Sequence, residues 1–257
     1  VRPDDETAVS KGNSRHVIEV MGTVFSLDIR GGDVDPATIG RVADDLRWVD
    51  ETFSTYRPDS QISLLASGQV RLKDCPPEVA EVLDLCVTAR EMTGGFFTAT
   101  PRGRLDPSGV VKGWAIARAD RLLAEGGSNA HAVNGGGDIQ TRGQPDPGQP
   151  WRLGIAHPLA KGELVAVVVG SGIALATSGS AERGHHIVNP FTERAATELA
   201  SVSVVGPQIT TADIYATAAC AMGYAALDWL AALPEYAAVV VIANGDVWES
   251  PGFSAYA

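Results

Sequence analysis

Apolar positions recur along the chain with two different periods, and the changes of period mark its elements. From Val17 to Arg30 apolar and polar residues partly alternate, as in a strand, with a break near Gly22. Asp35-Pro36 then provides an N-cap with proline at the first helical position. Ile39, Val42, Leu46, Val49 and Phe53 follow at helical spacing and predict an amphipathic helix. Pro76 and Pro77 open a second helix, with Val79, Val82, Leu83 and Cys86 inward and Gly94 as its stop. A third is expected from about Lys112 to Glu125, ending at Gly126-Gly127.

The second half reads mainly as strands. Trp151 to Ala156, Leu164 to Val169, Ile173 to Ala176 and Leu199 to Val205 are short apolar runs separated by Gly, Pro and polar clusters. A long helix is expected from Thr211 to Leu233, and a last strand from Val239 to Ala243. Strands and helices do not alternate regularly enough for a doubly wound parallel sheet, so the fold class is α+β, antiparallel sheets covered by helices. No internal repeat or long linker divides the chain. Residues 1–15 are expected to be a flexible segment and 16–257 a single domain.

Composition adds limits. The chain has 257 residues, 45% apolar and 20% charged, an ordinary globular mix. A net charge of −11 with no basic patch argues against a nucleic-acid partner. It does not argue against a phosphorylated ligand, because a divalent cation inverts the local sign. The three cysteines, Cys75, Cys86 and Cys220, lack metal spacing and are odd in number, which speaks against a disulfide framework. The apolar run from Ile214 to Leu233 has the length of a membrane span, but Asp213 and Asp228 border or interrupt it, and a buried core helix is the better reading. No signal peptide or lipobox cysteine is visible near Val1, and a cytoplasmic location is expected.

Five short constellations carry candidate chemistry. Asp213 and Thr217 are four apart and share a helical face, where a carboxylate and a hydroxyl supply two hard oxygen ligands for Mg²⁺. By spacing alone, Asp213 as a cap and Thr217 bonded back to a carbonyl is the better reading. Asp106-Pro-Ser-Gly109 leads into Lys112-Gly113, a turn entering a helix that suits a phosphate or is a plain junction. Asn134-Gly135-Gly136-Gly137-Asp138 is a close-approach loop or a simple hairpin turn. Ala176-Thr177-Ser178-Gly179 precedes His185-His186, in which a general base or a surface role is open. Met21-Gly22-Thr23 and the turn around Tyr56 complete the set; Tyr56 either lies against an aromatic ligand or packs at a helix end.

Taken in order, these runs resemble the FAD:protein FMN transferases, the ApbE family. The matching segments are Met21-Gly-Thr23, Phe53-Ser-Thr-Tyr56-Arg-Pro-Asp-Ser60, Gly94-Gly95-Phe96 and Leu105-Asp106 through Lys112-Gly113. They continue with Asn134 through Asp138, Ala176-Thr-Ser-Gly179, His186-Ile-Val-Asn-Pro190 and Ala212-Asp213 through Thr217. The resemblance spans roughly residues 17 to 245. It implies a tunnelling-fold-like α+β architecture and a Mg²⁺-dependent reaction with FAD as substrate. In that reaction a threonine hydroxyl of a partner flavoprotein attacks the FMN phosphorus and AMP leaves.

It further implies Asp213, Thr217 and the Gly109 carbonyl as metal ligands. Met21, Tyr56, Phe97, Asp106, Lys112, Asp138, Ser178, His186 and Ile187 are implied as flavin-nucleotide contacts, with His186 and Lys112 in catalytic roles. The chain departs from the family pattern at Thr98, where aspartate is usual, at Asn189 before Pro190, and at Glu193, where glycine is expected. The stretch between Gly179 and His185 is also short. Two other readings use the same pocket: a Mg²⁺-dependent FAD pyrophosphatase giving FMN and AMP, and a non-catalytic flavin-binding protein.

Overall fold

The interrupted strand at the start is a hairpin. In the computed structural model, which describes residues 13–179 and 187–257, β1 (Ser14–Val20) pairs antiparallel with β2 (Thr23–Gly31). Met21 and Gly22 make the turn with φ of 56° and 66°, as a two-residue primed turn requires. A methionine in this left-handed conformation costs on the order of 1 kcal/mol. β1 starts two residues ahead of the boundary expected at 16, so Ser14 and Arg15 belong to the sheet. Residues 1–12 lie outside the described residues.

The remaining strands are β3 (Ala130–Gly135), β4 (Asp138–Arg142), β5 (Trp151–Ala156), β6 (Leu164–Gly170), β7 (Ala174–Gly179), β8 (Leu199–Gly206), β9 (Ala237–Ile242) and β10 (Val247–Glu249). Eight form one antiparallel sheet in the order β1-β2-β3-β4-β7-β8-β9-β10, and β5 and β6 pair separately. Side-chain alternation gives the large sheet two buried faces. Phe25, Leu27, Val133, Ala176, Val204 and Val240 point into the helical layer. Ala132, Leu175, Val205 and Val239 point to the other side, onto Trp151, Leu153 and Val168 of the small sheet.

The helices are α1 (Pro36–Phe53), α2 (Gln61–Ala66), α3 (Pro77–Met92), α4 (Ser108–Glu125), α5 (Ile209–Met222) and α6 (Ala226–Ala231). Asp35 caps α1 by accepting from the Ala37 N–H at 2.9 Å, and Val42, Leu46, Val49 and Phe53 are its buried stripe. Two expectations are corrected. α4 begins at Ser108, a full turn before Lys112, because the Asp106 carboxylate accepts the Ser108 N–H at 3.0 Å and starts the helix there. The long helix expected over 211–233 is two: α5 ends where Gly223 turns to φ 67°, and α6 resumes after one short turn. Ile214, Ala216, Ala218 and Ala219 are buried in the core, and no described helix is long and apolar enough to cross a membrane.

Candidate active site

α4 and α5 meet at a position where a helix would ordinarily carry a side chain. A Cβ on Gly113 would lie 2.9 Å from the Thr210 Cα and 3.1 Å from the Ile209 carbonyl oxygen. Glycine in a helix interior costs about 1 kcal/mol relative to alanine, and here it lets α5 approach backbone to backbone. Asp213 follows one turn into α5 and is 2% exposed. Its Oδ2 accepts the Gly113 N–H at 3.1 Å. In a regular helix that N–H points at the carbonyl four residues back, Gly109. The carboxylate therefore competes for the donor that serves the Gly109 carbonyl.

One more turn along α5, Thr217 shares a hydrogen bond of 3.1 Å with the Ser178 hydroxyl at the end of β7. Gly109 is its neighbour across the helix pair, since a Cβ there would sit 3.8 Å from the Thr217 methyl. That same Cβ would fall 2.9 Å from the Phe97 ring. Phe97 is 2% exposed; it reaches the site by packing under Gly109.

β3 and β4 bring the second carboxylate. Gly136 and Gly137, with φ of 60° and 95°, close a two-residue turn that places Asp138 at the first position of β4. Asp138 Oδ1 accepts the Thr177 N–H at 2.9 Å, and its Oδ2 lies 2.5 Å from the Lys112 ammonium. Lys112 is also 3.7 Å from Asp213 Oδ1. Burial pushes the Asp213 carboxyl up to about 7; Lys112 opposes that shift, Asp138 adds to it, and the Gly113 N–H opposes it. The carboxylate of Asp213, the hydroxyls of Thr217 and Ser178 and the Gly109 carbonyl are all hard oxygen donors, the chemistry Mg²⁺ takes. Among the described residues no group of three or more His, Cys, Asp or Glu side chains could hold a metal ion, so a cation here would rest on one carboxylate with hydroxyl and carbonyl oxygens.

Met21 packs against the main core from the β1–β2 turn, and Ile187 does so from the start of the segment after β7. Asp106 is engaged at the head of α4. Tyr56 is 96% exposed in the turn between α1 and α2, so it packs against nothing of the helix end. Beside it a separate cavity of about 320 Å³ is lined by Thr55, Ser63, Ala66, Ser67, Gly103, Arg104 and Leu105, chain neighbours of Tyr56 and Asp106. None of the charged cluster lines it. His186 lies outside the described residues. Glu193, at the expected glycine, has φ 56° and keeps the left-handed turn without it.

Two residues of the site are not visible as such in the sequence. Gly113 reads as part of a turn motif, and only its position inside α4 shows that it is a contact point. Gln140, on β4, accepts the Ile209 N–H of α5 at 3.0 Å. A glutamine on the inward face of a strand is itself a signal, because a buried amide needs partners.

A family model for the ApbE family matches residues 21–103 and 98–240. A protein of Rhodobacter capsulatus named FAD:protein FMN transferase is 33% identical over 199 residues, 69% of this chain and 38% of that protein. One of the same name from Escherichia coli K12 is 30% identical over 165 residues, 59% of this chain and 47% of that protein. The matched region thus spans less than half the length of these relatives. Among solved structures, the flavin transferase ApbE from Vibrio cholerae aligns with a TM-score of 0.81 at 20% identity, over 95% of this chain and 100% of that one. The ApbE protein from Thermotoga maritima gives 0.85 at 20% identity, over 95% and 99%. At these identities the likeness is one of fold, and it bears out the antiparallel α+β architecture expected from the sequence.

Proposed function

The chain belongs to the ApbE family, and on that footing we propose that it transfers FMN from FAD to a threonine hydroxyl of a target flavoprotein, with Mg²⁺ required and AMP released. One observation carries the reading. Lys112 lies within ion-pairing distance of Asp138 and Asp213; Thr217, one turn beyond Asp213 on α5, shares a hydrogen bond with Ser178, the chain neighbour of Thr177, whose N–H Asp138 accepts.

Asp213, Thr217 and the Gly109 carbonyl would hold the metal. Bound there, Mg²⁺ would supply charge neutralisation for a pyrophosphate. Lys112 offers its ammonium to the same oxygens, and Asp138 fixes where that ammonium sits. The acceptor oxygen forms a bond to the FMN phosphorus while the bond from that phosphorus to the bridging oxygen breaks, and AMP departs with the bridging oxygen. The hydroxyl proton goes to a base, for which His186 is the candidate. Met21, held in a left-handed turn, and the exposed ring of Tyr56 would contact the flavin nucleotide.

The test is mass spectrometric. The protein is incubated with FAD, Mg²⁺ and a flavoprotein carrying the acceptor threonine. The expected product is an acceptor heavier by one FMN, less water, together with one AMP. Free FMN and AMP without an adduct would replace transfer by hydrolysis. Unchanged FAD would leave only flavin binding.

A further inference from the structure

β4 is an unusual strand for a protein core. Its odd-numbered neighbours behave as expected: Ile139 packs toward the small sheet, and Thr141 exchanges hydrogen bonds with the Ile173 backbone at 2.8 and 2.9 Å. Its other face, which alternation turns toward the helices, is polar throughout: Asp138, Gln140 and Arg142. Each has a partner on a helix. Asp138 meets Lys112 near the start of α4. Arg142 donates to both oxygens of Asp120, two turns further along α4, at 3.2 and 2.7 Å. Gln140, between them, accepts from the first N–H of α5.

The bond to α5 fills a specific need. Gln208, the residue before α5, makes no side-chain cap, and Ile209 is fully buried. The first N–H groups of a helix have no partner within it, and a buried one left unpaired costs about 1–3 kcal/mol. Gln140 meets that demand from a strand 69 residues earlier in the chain. Its Nε2 is turned to the Thr141 carbonyl at 3.2 Å, which orients the amide. The bond fixes α5 at its first turn, where Gly113 touches Ile209 and Thr210, and Asp213 and Thr217 follow on the same helix.

We propose that Gln140 is a positioning residue for the metal site: it sets the axial position of α5, and with it Asp213 and Thr217, relative to Gly109 and Lys112 on α4. This rests on the reading of that site as a cation site. It also explains why β4 spends its inward face on polar groups, since an apolar side chain at 140 would fill the space and leave the height of α5 unset.

The experiment uses Mn²⁺ as the probe, with binding followed by loss of the free-ion electron paramagnetic resonance signal, alongside turnover as a function of Mg²⁺. Q140M keeps the length and removes the acceptor. Q140N keeps the amide and withdraws it by one carbon. Q140E keeps an acceptor within reach. Loss of one positioning hydrogen bond predicts Mn²⁺ binding weaker by about 3–10-fold in Q140M and in Q140N. It also predicts a raised Mg²⁺ requirement with kcat at saturating Mg²⁺ near wild type. Q140E, which keeps the acceptor for the Ile209 N–H but loses the donor to the Thr141 carbonyl, should bind Mn²⁺ more tightly than Q140M. Should Q140M fold poorly, Q140N carries the same decision. Wild-type affinity in the variant that folds, whatever its melting temperature, overturns the proposal while leaving the metal site standing. Absence of Mn²⁺ binding by the wild-type protein itself overturns the metal site and this inference together.

Discussion

α4 and β4 lie against each other at two ionic clusters, one at each end, and the two are built from similar parts to opposite effect. At the near end, Lys112 faces Asp138 and Asp213. At the far end, Asp120 receives the Arg142 guanidinium and the His131 ring, with His131 Nε2 at 3.0 Å and its Nδ1 at 2.8 Å from the Ser128 hydroxyl. Both are buried. Burial alone would push Asp120 up, but the hydrogen bonds and charges of His131 and Arg142 outweigh it and hold that carboxyl below its usual range. Asp213 ends the other way, up near 7. A carboxylate whose neighbours satisfy it is part of the scaffold; on the proposed function, the one that burial still penalises would take a cation.

The comparison breaks first at Asp213. Asp213→Asn should lower Mg²⁺-dependent FMN transfer on the order of 10³-fold. The melting temperature in EDTA should stay equal to wild type or rise, because a penalised buried charge has been removed. Transfer that persists in this variant, insensitive to EDTA, would refute the metal assignment. Asp120→Ala should do the reverse. It strands His131 without its acceptor and should cost about 2–4 kcal/mol of stability, a melting temperature lower by roughly 5–12 °C. Mn²⁺ affinity at the distant site should change by less than about twofold. Thermal denaturation beside a Mn²⁺ titration separates these outcomes, and a large loss of Mn²⁺ binding in Asp120→Ala would merge the two clusters into one.

The sequence showed these two regions unequally. Helices whose signals are local were legible to within a residue or two: Asp35-Pro36 opens α1 and Gly94 follows the end of α3. Asp213 and Thr217 were legible as a pair because four residues is one helical turn. Other ends were not legible. α4 starts at the Asp106 carboxylate with Ser108, four residues before Lys112. β4 was hidden for a related reason, since polar residues on its helix-facing side remove the apolar alternation that marks a strand. The far cluster left no motif at all; Asp120, Ser128, His131 and Arg142 are ordinary residues until the hairpin of β3 and β4 is laid on α4.

The two carboxylates should also respond to pH with opposite signs. Asp213 is raised, so its contribution to the metal-free fold is complete below about 3.8, the ordinary value, and is lost as pH rises through about 7. Asp120 is lowered, so its contribution is complete above that ordinary value and is lost only as pH falls through its own lower one. A cation must displace the Asp213 proton, so Mg²⁺ or Mn²⁺ affinity should weaken about tenfold per pH unit below about 7. The Mg²⁺-induced rise in melting temperature should therefore grow between about pH 5.5 and pH 8. A rise that is flat across that range would remove Asp213 from the ligand set.

The finest separation comes from two serines in matching positions. Ser178 bonds the Thr217 hydroxyl at the near cluster, and Ser128 bonds His131 at the far one. Ser→Ala removes one hydroxyl in each case, a change of about 1 kcal/mol either way. At Ser178 the loss should fall on binding. Thr217 loses the partner that fixes its rotamer, so Mn²⁺ affinity should drop about 3–5-fold with little change in melting temperature. At Ser128 the loss should fall on folding. The buried Nδ1 of His131 loses its partner, so the melting temperature should drop by roughly 2–4 °C with Mn²⁺ affinity intact. The double variant should show the two losses simply added, because the sites share no partner. Coupling between them, or the two effects exchanged, would mean that α4 and β4 carry one continuous network in which the near and far carboxylates act together.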